Sequence, residues 1–199
     1  MNIFLNEQFA SDMLQKFVMV PNDIINGQRL YTLFTSMFMH DPSTFEAGLV
    51  HLFGNMLFLY VFGDNVEDAF GHGSYLVFYL VSGLAAAFTH ILTLTNPQDF
   101  YEGVVGASGA ISGVLGAYLV LYPKARILTL VLAGFPIIVP IPAFLFLGFW
   151  FVLQWLYVVF GIASGVVYFA HIGGFVFGVL LAVTVGRKRK KAREARLRL

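Results

Sequence analysis

From Ile127 to Gly186 the chain carries no Asp, Glu, Lys or Arg. Helices and strands of a soluble domain keep a polar face toward water, so an uncharged run of this length has no place in an ordinary globular core. A bilayer accommodates it directly. About 20 predominantly apolar residues in a helix cross the hydrocarbon layer, so the run holds two crossings and a connection. Composition agrees, with 58% hydrophobic residues, 12% charged residues and a mean hydropathy of +0.78, well away from the balance of a soluble domain. The chain reads as an all-α, polytopic membrane helical bundle. It contains no cysteine, which excludes disulfides and cysteine-based zinc or redox sites.

Within the uncharged run, Gly161 to Gly165 and the prolines Pro136, Pro140 and Pro142 are the natural breaks. They predict helices over Ala143 to Phe160 and Tyr168 to Val185. Ile127 to Val139 reads either as a re-entrant or interfacial piece or as the start of a longer helix. Upstream, Tyr75 to Leu94 and Val104 to Tyr122 are predicted spans, and a shorter one, Leu49 to Gly63, carries His51 and Asn55. Eight of the twelve Lys and Arg fall between Arg187 and Arg198, so the tail is read as a cytosolic topology anchor rather than as a nucleic-acid or anionic-lipid binding element. Lys124 and Arg126 should share that side, which requires an even number of crossings in between and argues that Ile127 to Val139 is not one. Counting back, His51, Ser108 and His171 each fall in the first turn or two of an inward-running helix, at one depth near the outer face.

The expected organisation is an external N-terminal segment and first loop over 1–48, a transmembrane core over 49–186 and a basic cytosolic tail over 187–199. Met1 to Asn26 carry Glu7, Asp12, Lys16 and Asp23 and so offer no uninterrupted span, nor do they have the pattern of a signal peptide. Five spans with a cytosolic C-terminus put the N-terminus outside, and the expectation is that a preceding helix is missing.

Ser108 lies in Gly106-Ala107-Ser108-Gly109, where a helix begins. Free backbone N–H groups and the positive end of the helix dipole there favour a developing oxyanion. The small residues Gly106, Ser108, Gly109, Ser112, Gly113 and Gly116 also form a packing face, and the two readings are compatible. His171 lies in Ala170-His171-Ile172-Gly173-Gly174, and Gly174 with Gly178 makes a small-xxx-small pattern suited to packing on Gly109 and Gly113. Ionisable groups inside a membrane are functional candidates, and an imidazole within reach of Ser108 can take its proton and return it to a leaving amine. No acidic residue lies near His171 in the spans, so a Ser-His dyad is expected. His51 and Asn55, four residues apart on one helical face, suit either oxyanion stabilisation with the backbone N–H of Ser108 or an interhelical polar clamp. His51, His72, His90 and His171 do not share one side of the membrane in this topology, so neither a metal nor another cofactor is expected.

Four ordered runs resemble the rhomboid family of intramembrane serine proteases: His51-Leu52-Phe53-Gly54-Asn55-Met56, Gly63-Asp64-Asn65-Val66-Glu67-Asp68, Gly106-Ala107-Ser108-Gly109-Ala110 and Ala170-His171-Ile172-Gly173-Gly174. The resemblance extends from about Arg29 to Val185. It implies Ser108 as nucleophile, His171 as general base, and His51 with Asn55 as oxyanion donors. Arg29 looks like the structural arginine of the family's first external loop, and Gly174 and Gly178 like its close-packing glycines. It further implies cleavage of transmembrane protein substrates by an integral protein of a bacterial plasma membrane. Because a helical peptide carbonyl is already hydrogen-bonded and screened, the substrate is expected to unwind locally, and the flexible Gly161 to Gly165 connection is read as a lid over the outward-facing site. Two departures stand out. The first of the family's six core helices is not visible apart from a remnant near Ile3 to Leu5, and Ser112 occupies the position where some relatives carry an aromatic that stacks on the base, so another group must orient His171. The alternative is a catalytically silent relative that binds or chaperones transmembrane segments. A transporter or channel would call for a lipid-buried ionisable pair near mid-bilayer or paired broken helices, and no clear example is present.

Overall fold

The computed structural model describes residues 7–40, 43–162 and 166–196. Three short helices come first: α1 (Glu7–Phe17), α2 (Pro21–Ile25) and α3 (Thr32–Thr35). The bundle then comprises α4 (Phe45–Phe70), α5 (His72–Thr93) and α6 (Ser108–Leu121), a two-stranded antiparallel hairpin of β1 (Arg126–Ala133) and β2 (Phe135–Pro142), and then α7 (Ala143–Val159) and α8 (Tyr168–Leu181). A π-helical stretch, Ala182–Gly186, joins α8 to α9 (Arg187–Arg196) without a break. Among the described residues, α4, α5 and the continuous run Tyr168–Arg196 are long and apolar enough to cross a membrane, and α6 and α7 are shorter apolar helices. The protein is an integral membrane protein with a helical bundle.

Several boundaries differ from the sequence expectation for identifiable reasons. Helix α4 starts at Phe45 because Thr44 caps it, its hydroxyl accepting from Ala47 N at 3.0 Å. It continues past Gly63 through Asp64, Glu67 and Asp68 until Gly71 turns at φ +81, because charged side chains end an apolar run without ending a helix. Helix α6 begins at Ser108 and not at Val104. Val104 instead bridges Met19 (N···O 2.8 and 3.2 Å), and Gly106 stands at φ +122, a conformation glycine tolerates. Ile127 to Val139 is neither a crossing nor the start of a helix. Its β-branched residues favour strands, its prolines exclude a helix interior, and the register returns Pro142 beside Arg126. Ile3 to Leu5 and residues 163–165 of the expected lid lie outside the described residues; Gly161, just past α7, has φ +60.

Helix α6 is the centre of the bundle, and its glycines set the spacing. A Cβ on Gly174 would collide with the carbonyl oxygen of Gly109, one on Gly178 with that of Gly113, and one on Gly116 with that of Phe175. Backbone therefore meets backbone along α6 and α8, which is what allows residues on the two helices to approach. On the α5 side, Ala86 and Ser82 fill the space over Gly109 and Gly113. At the opposite end from Ser108, α9 is strapped to the bundle. Arg193 pairs with Asp68 (2.8 Å), Arg189 donates to Phe70 O (3.0 Å) and Ser74 Oγ (2.7 Å), and Lys190 donates to Leu121 O (2.7 Å) above the Tyr122 ring.

Candidate active site

The segment ahead of α6 is positioned from outside the bundle. Gly106 N donates to Ser36 O at 2.9 Å, one connection beyond the Met19–Val104 bridge. Arg29 secures the preceding loop. It pairs with Asp23 at 2.9 Å, donates to Val18 O at 3.2 Å and to Gln15 O, and itself sits at φ +46. The His51 ring, in the second turn of α4, packs over Gly106. A Cβ there would stand 3.0 Å from His51 Nε2 and 3.7 Å from Ser108 Oγ, so the imidazole and the hydroxyl flank one point. Ser108 is the first residue of α6, and its backbone N–H belongs to the first turn, which lacks intrahelical acceptors.

His171, one turn into α8, lies with Nε2 2.8 Å from Ser108 Oγ. Its other nitrogen, Nδ1, lies 2.9 Å from Gln154 Oε1 on α7. The Gln154 amide nitrogen is directed to Trp150 O at 3.4 Å, which assigns the oxygen to the imidazole side. A carboxamide oxygen only accepts, so Nδ1 carries the proton and Nε2 keeps its lone pair toward the serine. Trp150 flanks the same ring, with centroids 6.0 Å apart. Ser112 directs its hydroxyl back to Ser108 O at 2.6 Å, so Gln154 and Trp150 supply the orienting contacts that the sequence reading could not assign.

Asn55 is buried, and its Nδ2 has no hydrogen-bond partner among the described residues. A buried donor left without an acceptor is costly, and this one borders the same cavity as Ser108. The cavity measures about 660 Å³, with His51, Asn55, His90, Ser108, Trp150 and His171 on its wall, a size typical of pockets that bind small molecules or short segments. His40, just ahead of α4, approaches His51 edge-on with ring centroids 5.6 Å apart, and its Nε2 is also buried without a partner among the described residues. Burial, and secondarily the neighbouring His51, hold its pKa below the usual histidine value. His72 lies at the other end of the bundle, 2.6 Å from Glu67.

Sequence reasoning did not single out Gln154 or His40. Gln154 had a usable signal: it is the one carboxamide in the apolar run of α7, and a strongly polar side chain in an otherwise apolar helix needs a partner. His40 had none, because nothing in its spacing from His51 predicts that the connecting loop folds the two rings together.

Comparison with known proteins adds an independent line. A family model described as Rhomboid domain matches residues 27–188. Rhomboid protein 1, mitochondrial, of Saccharomyces cerevisiae is 29% identical over 92% of this chain and 49% of its own length. Rhomboid protease GluP of Bacillus subtilis is 30% identical over 94% of this chain and 32% of its own length. RHOMBOID-like protein 12, mitochondrial, of Arabidopsis thaliana is 31% identical over 70% of this chain and 41% of its own. The chain thus spans less than half the length of these relatives.

Proposed function

This chain belongs to the rhomboid family, and on that premise we propose that it is an intramembrane serine endopeptidase acting through a Ser108–His171 dyad. The observation that carries the reading is the 2.8 Å separation of Ser108 Oγ and His171 Nε2 across two helices held together by their glycines. A serine hydroxyl is a weak nucleophile until a base accepts its proton. In this mechanism His171 Nε2 takes that proton as Oγ attacks the scissile carbonyl, and then returns it to the departing amine. The negative oxygen forms beside the Ser108 N–H, the Asn55 amide and His51, a donor set suited to it. Asn55 supports this role because its Nδ2 is buried without an acceptor. Gln154 keeps the imidazole in the tautomer that the first step requires.

The reading extends to substrate and location. A helical peptide carbonyl is already hydrogen-bonded and screened, so a transmembrane substrate has to unwind to reach the cavity, and small or helix-weakening residues near the cut should be favoured. The site lies at the end of α4 remote from the Arg193–Asp68 pair, so the positive-inside rule puts it toward the outer face and the basic C-terminal end in the cytosol.

The test is covalent labelling of the detergent-purified or liposome-reconstituted protein with a fluorophosphonate, with the adduct mapped by mass spectrometry. Labelling at Ser108 that disappears in Ser108→Ala and His171→Ala is expected. If the unmutated chain, shown to be folded by its melting curve, is not labelled at Ser108, the catalytic reading fails in favour of a silent binder of transmembrane segments.

A further inference from the structure

The hairpin takes no part in this chemistry, and its surface is unlike that of a loop in water. Leu128, Leu130 and Leu132 share one face with Pro136, Ile138 and Pro140, while Ile127, Val131, Ile137, Val139 and Ile141 occupy the other. Arg126 and Thr129, both on β1, are its polar side chains. Leu128, Leu130, Leu132 and Ile138 are 74%, 62%, 78% and 69% exposed. The root is fixed to the bundle by Ala143 N to Ala125 O at 2.7 Å and Phe144 N to Pro123 O at 3.0 Å, whereas the turn end carries exposed Leu132 and Phe135. Polar residues near the root and apolar ones at the tip reverse the arrangement of a hairpin projecting into solvent.

The register says what surrounds it. Proline has no N–H, so Arg126↔Pro142, Leu128↔Pro140 and Leu132↔Pro136 are not the pairs that exchange hydrogen bonds. By alternation Leu130↔Ile138 is not one either, and the bonded Ala125–Ala143 pair at the root keeps the same phase. The outward N–H groups of β2 would therefore belong to residues 136, 138, 140 and 142, and three of these four are prolines. A second copy adding a strand at this edge would need those donors. Hydrocarbon, in contrast, penalises them. The carbonyls that remain and the intact outer edge of β1 still need water, which keeps the hairpin out of the bilayer centre. Its apolar surface runs on into α7, where Phe144, Leu145 and Phe149 are exposed, and Lys124 and Arg126 lie at its root, at the end of the bundle to which the basic α9 is strapped.

From these observations we propose that residues 126–142 form an interfacial membrane anchor, seated among the lipids of the leaflet on the α9 side. The β2 edge lies toward the acyl chains and the β1 edge toward the headgroups. Helix α7, which carries Gln154, begins at Ala143 directly after β2, so the depth of the hairpin fixes where α7 enters the bilayer.

The absence of cysteine allows a direct test. Leu130→Cys and Ile138→Cys, cross-strand partners with exposed side chains, are each nitroxide-labelled in liposomes. Power saturation then compares collisions with oxygen, which concentrates in lipid, and with a water-soluble nickel chelate. Leu145→Cys serves as the lipid reference and Lys188→Cys as the water reference. Oxygen-to-nickel ratios several-fold above that of Lys188→Cys at both positions, and higher at Ile138 than at Leu130, are expected. Ratios matching Lys188→Cys would put the hairpin in water and overturn the proposal. Exclusion of both reagents with spin–spin broadening would make it an interface between copies, also overturning it. Equal depths at the two positions would refute the assigned orientation of the edges. Each variant is first required to match the parent's melting curve, and either position alone decides between lipid and water.

Discussion

Replacing Gln154 with methionine keeps the length and approximate volume of the side chain and removes only its amide. In the parent, Gln154 Oε1 lies 2.9 Å from His171 Nδ1 and is buried between α7 and α8. Without it, Nδ1–H loses its acceptor on the buried side of the imidazole, which costs about 1–3 kcal/mol. The imidazole can avoid that cost by moving its proton to Nε2, but this tautomer faces Ser108 with a donor where a base is needed. Each route reduces the competent population or raises the barrier, and a factor of ten corresponds to about 1.4 kcal/mol. Gln154→Met should therefore lower kcat on the order of 5- to 150-fold. KM should stay close to the parent value, because Gln154 stands behind the imidazole and away from the cavity wall. Gln154→Asn, which keeps the amide but is one methylene too short, should also lose rate. The assay is hydrolysis of a fluorogenic transmembrane peptide in liposomes, with fluorophosphonate labelling rates as a substrate-free check and melting curves to verify the fold. Parent kcat in a normally folded Gln154→Met would refute the argument that this side chain orients the base, and a loss carried by KM alone would assign it to substrate binding.

Asn55→Ala should slow turnover by about 10- to 1000-fold if its amide donates to the oxyanion; a near-normal rate in the same peptide assay would reassign Asn55 to packing. Gly178→Ala drives a methyl group into the Gly113 carbonyl and should destabilise the bundle by about 1–3 kcal/mol or more, visible as a lower melting midpoint in detergent, whereas an unchanged midpoint would contradict the backbone-to-backbone packing of α6 and α8. His40 has a lowered pKa in the fold, so as pH drops through about 6.5 the unfolded chain takes up a proton that the native state resists, and stability falls. His40→Asn should lessen the decline of the melting midpoint between about pH 7.5 and 5.5, and parallel curves for parent and variant would remove His40 from the account.

Hydropathy and charge placement made the membrane bundle legible because a bilayer imposes one strong rule, an apolar run of set length, on each crossing helix. Ser108, His171, His51 and Asn55 were legible for a related reason: polar groups with nothing polar around them in sequence are conspicuous in an apolar chain. The limits of α4 and α6 were less so. Thr44 and Gly71 bound α4 through local capping, while α6 starts late because Val104 is held by Met19, a contact with a segment far upstream in the chain. The hairpin was visible as a break but not as a hairpin, since short apolar runs do not distinguish strand from re-entrant helix.

What the sequence determined by itself was which residues enter the membrane, which polar groups they carry with them, and the shared depth of His51, Ser108 and His171, because these follow from one-dimensional patterns of hydropathy and charge. What only the tertiary structure decided was which of those groups touch. The 2.8 Å contact of Ser108 with His171, the Gln154 oxygen behind the imidazole and the edge-on approach of His40 to His51 depend on how far apart the helices stand and how each is rotated about its axis. Those quantities are set by glycine backbones meeting across α6 and α8 and by the position of α7, contacts between distant segments that no local pattern encodes.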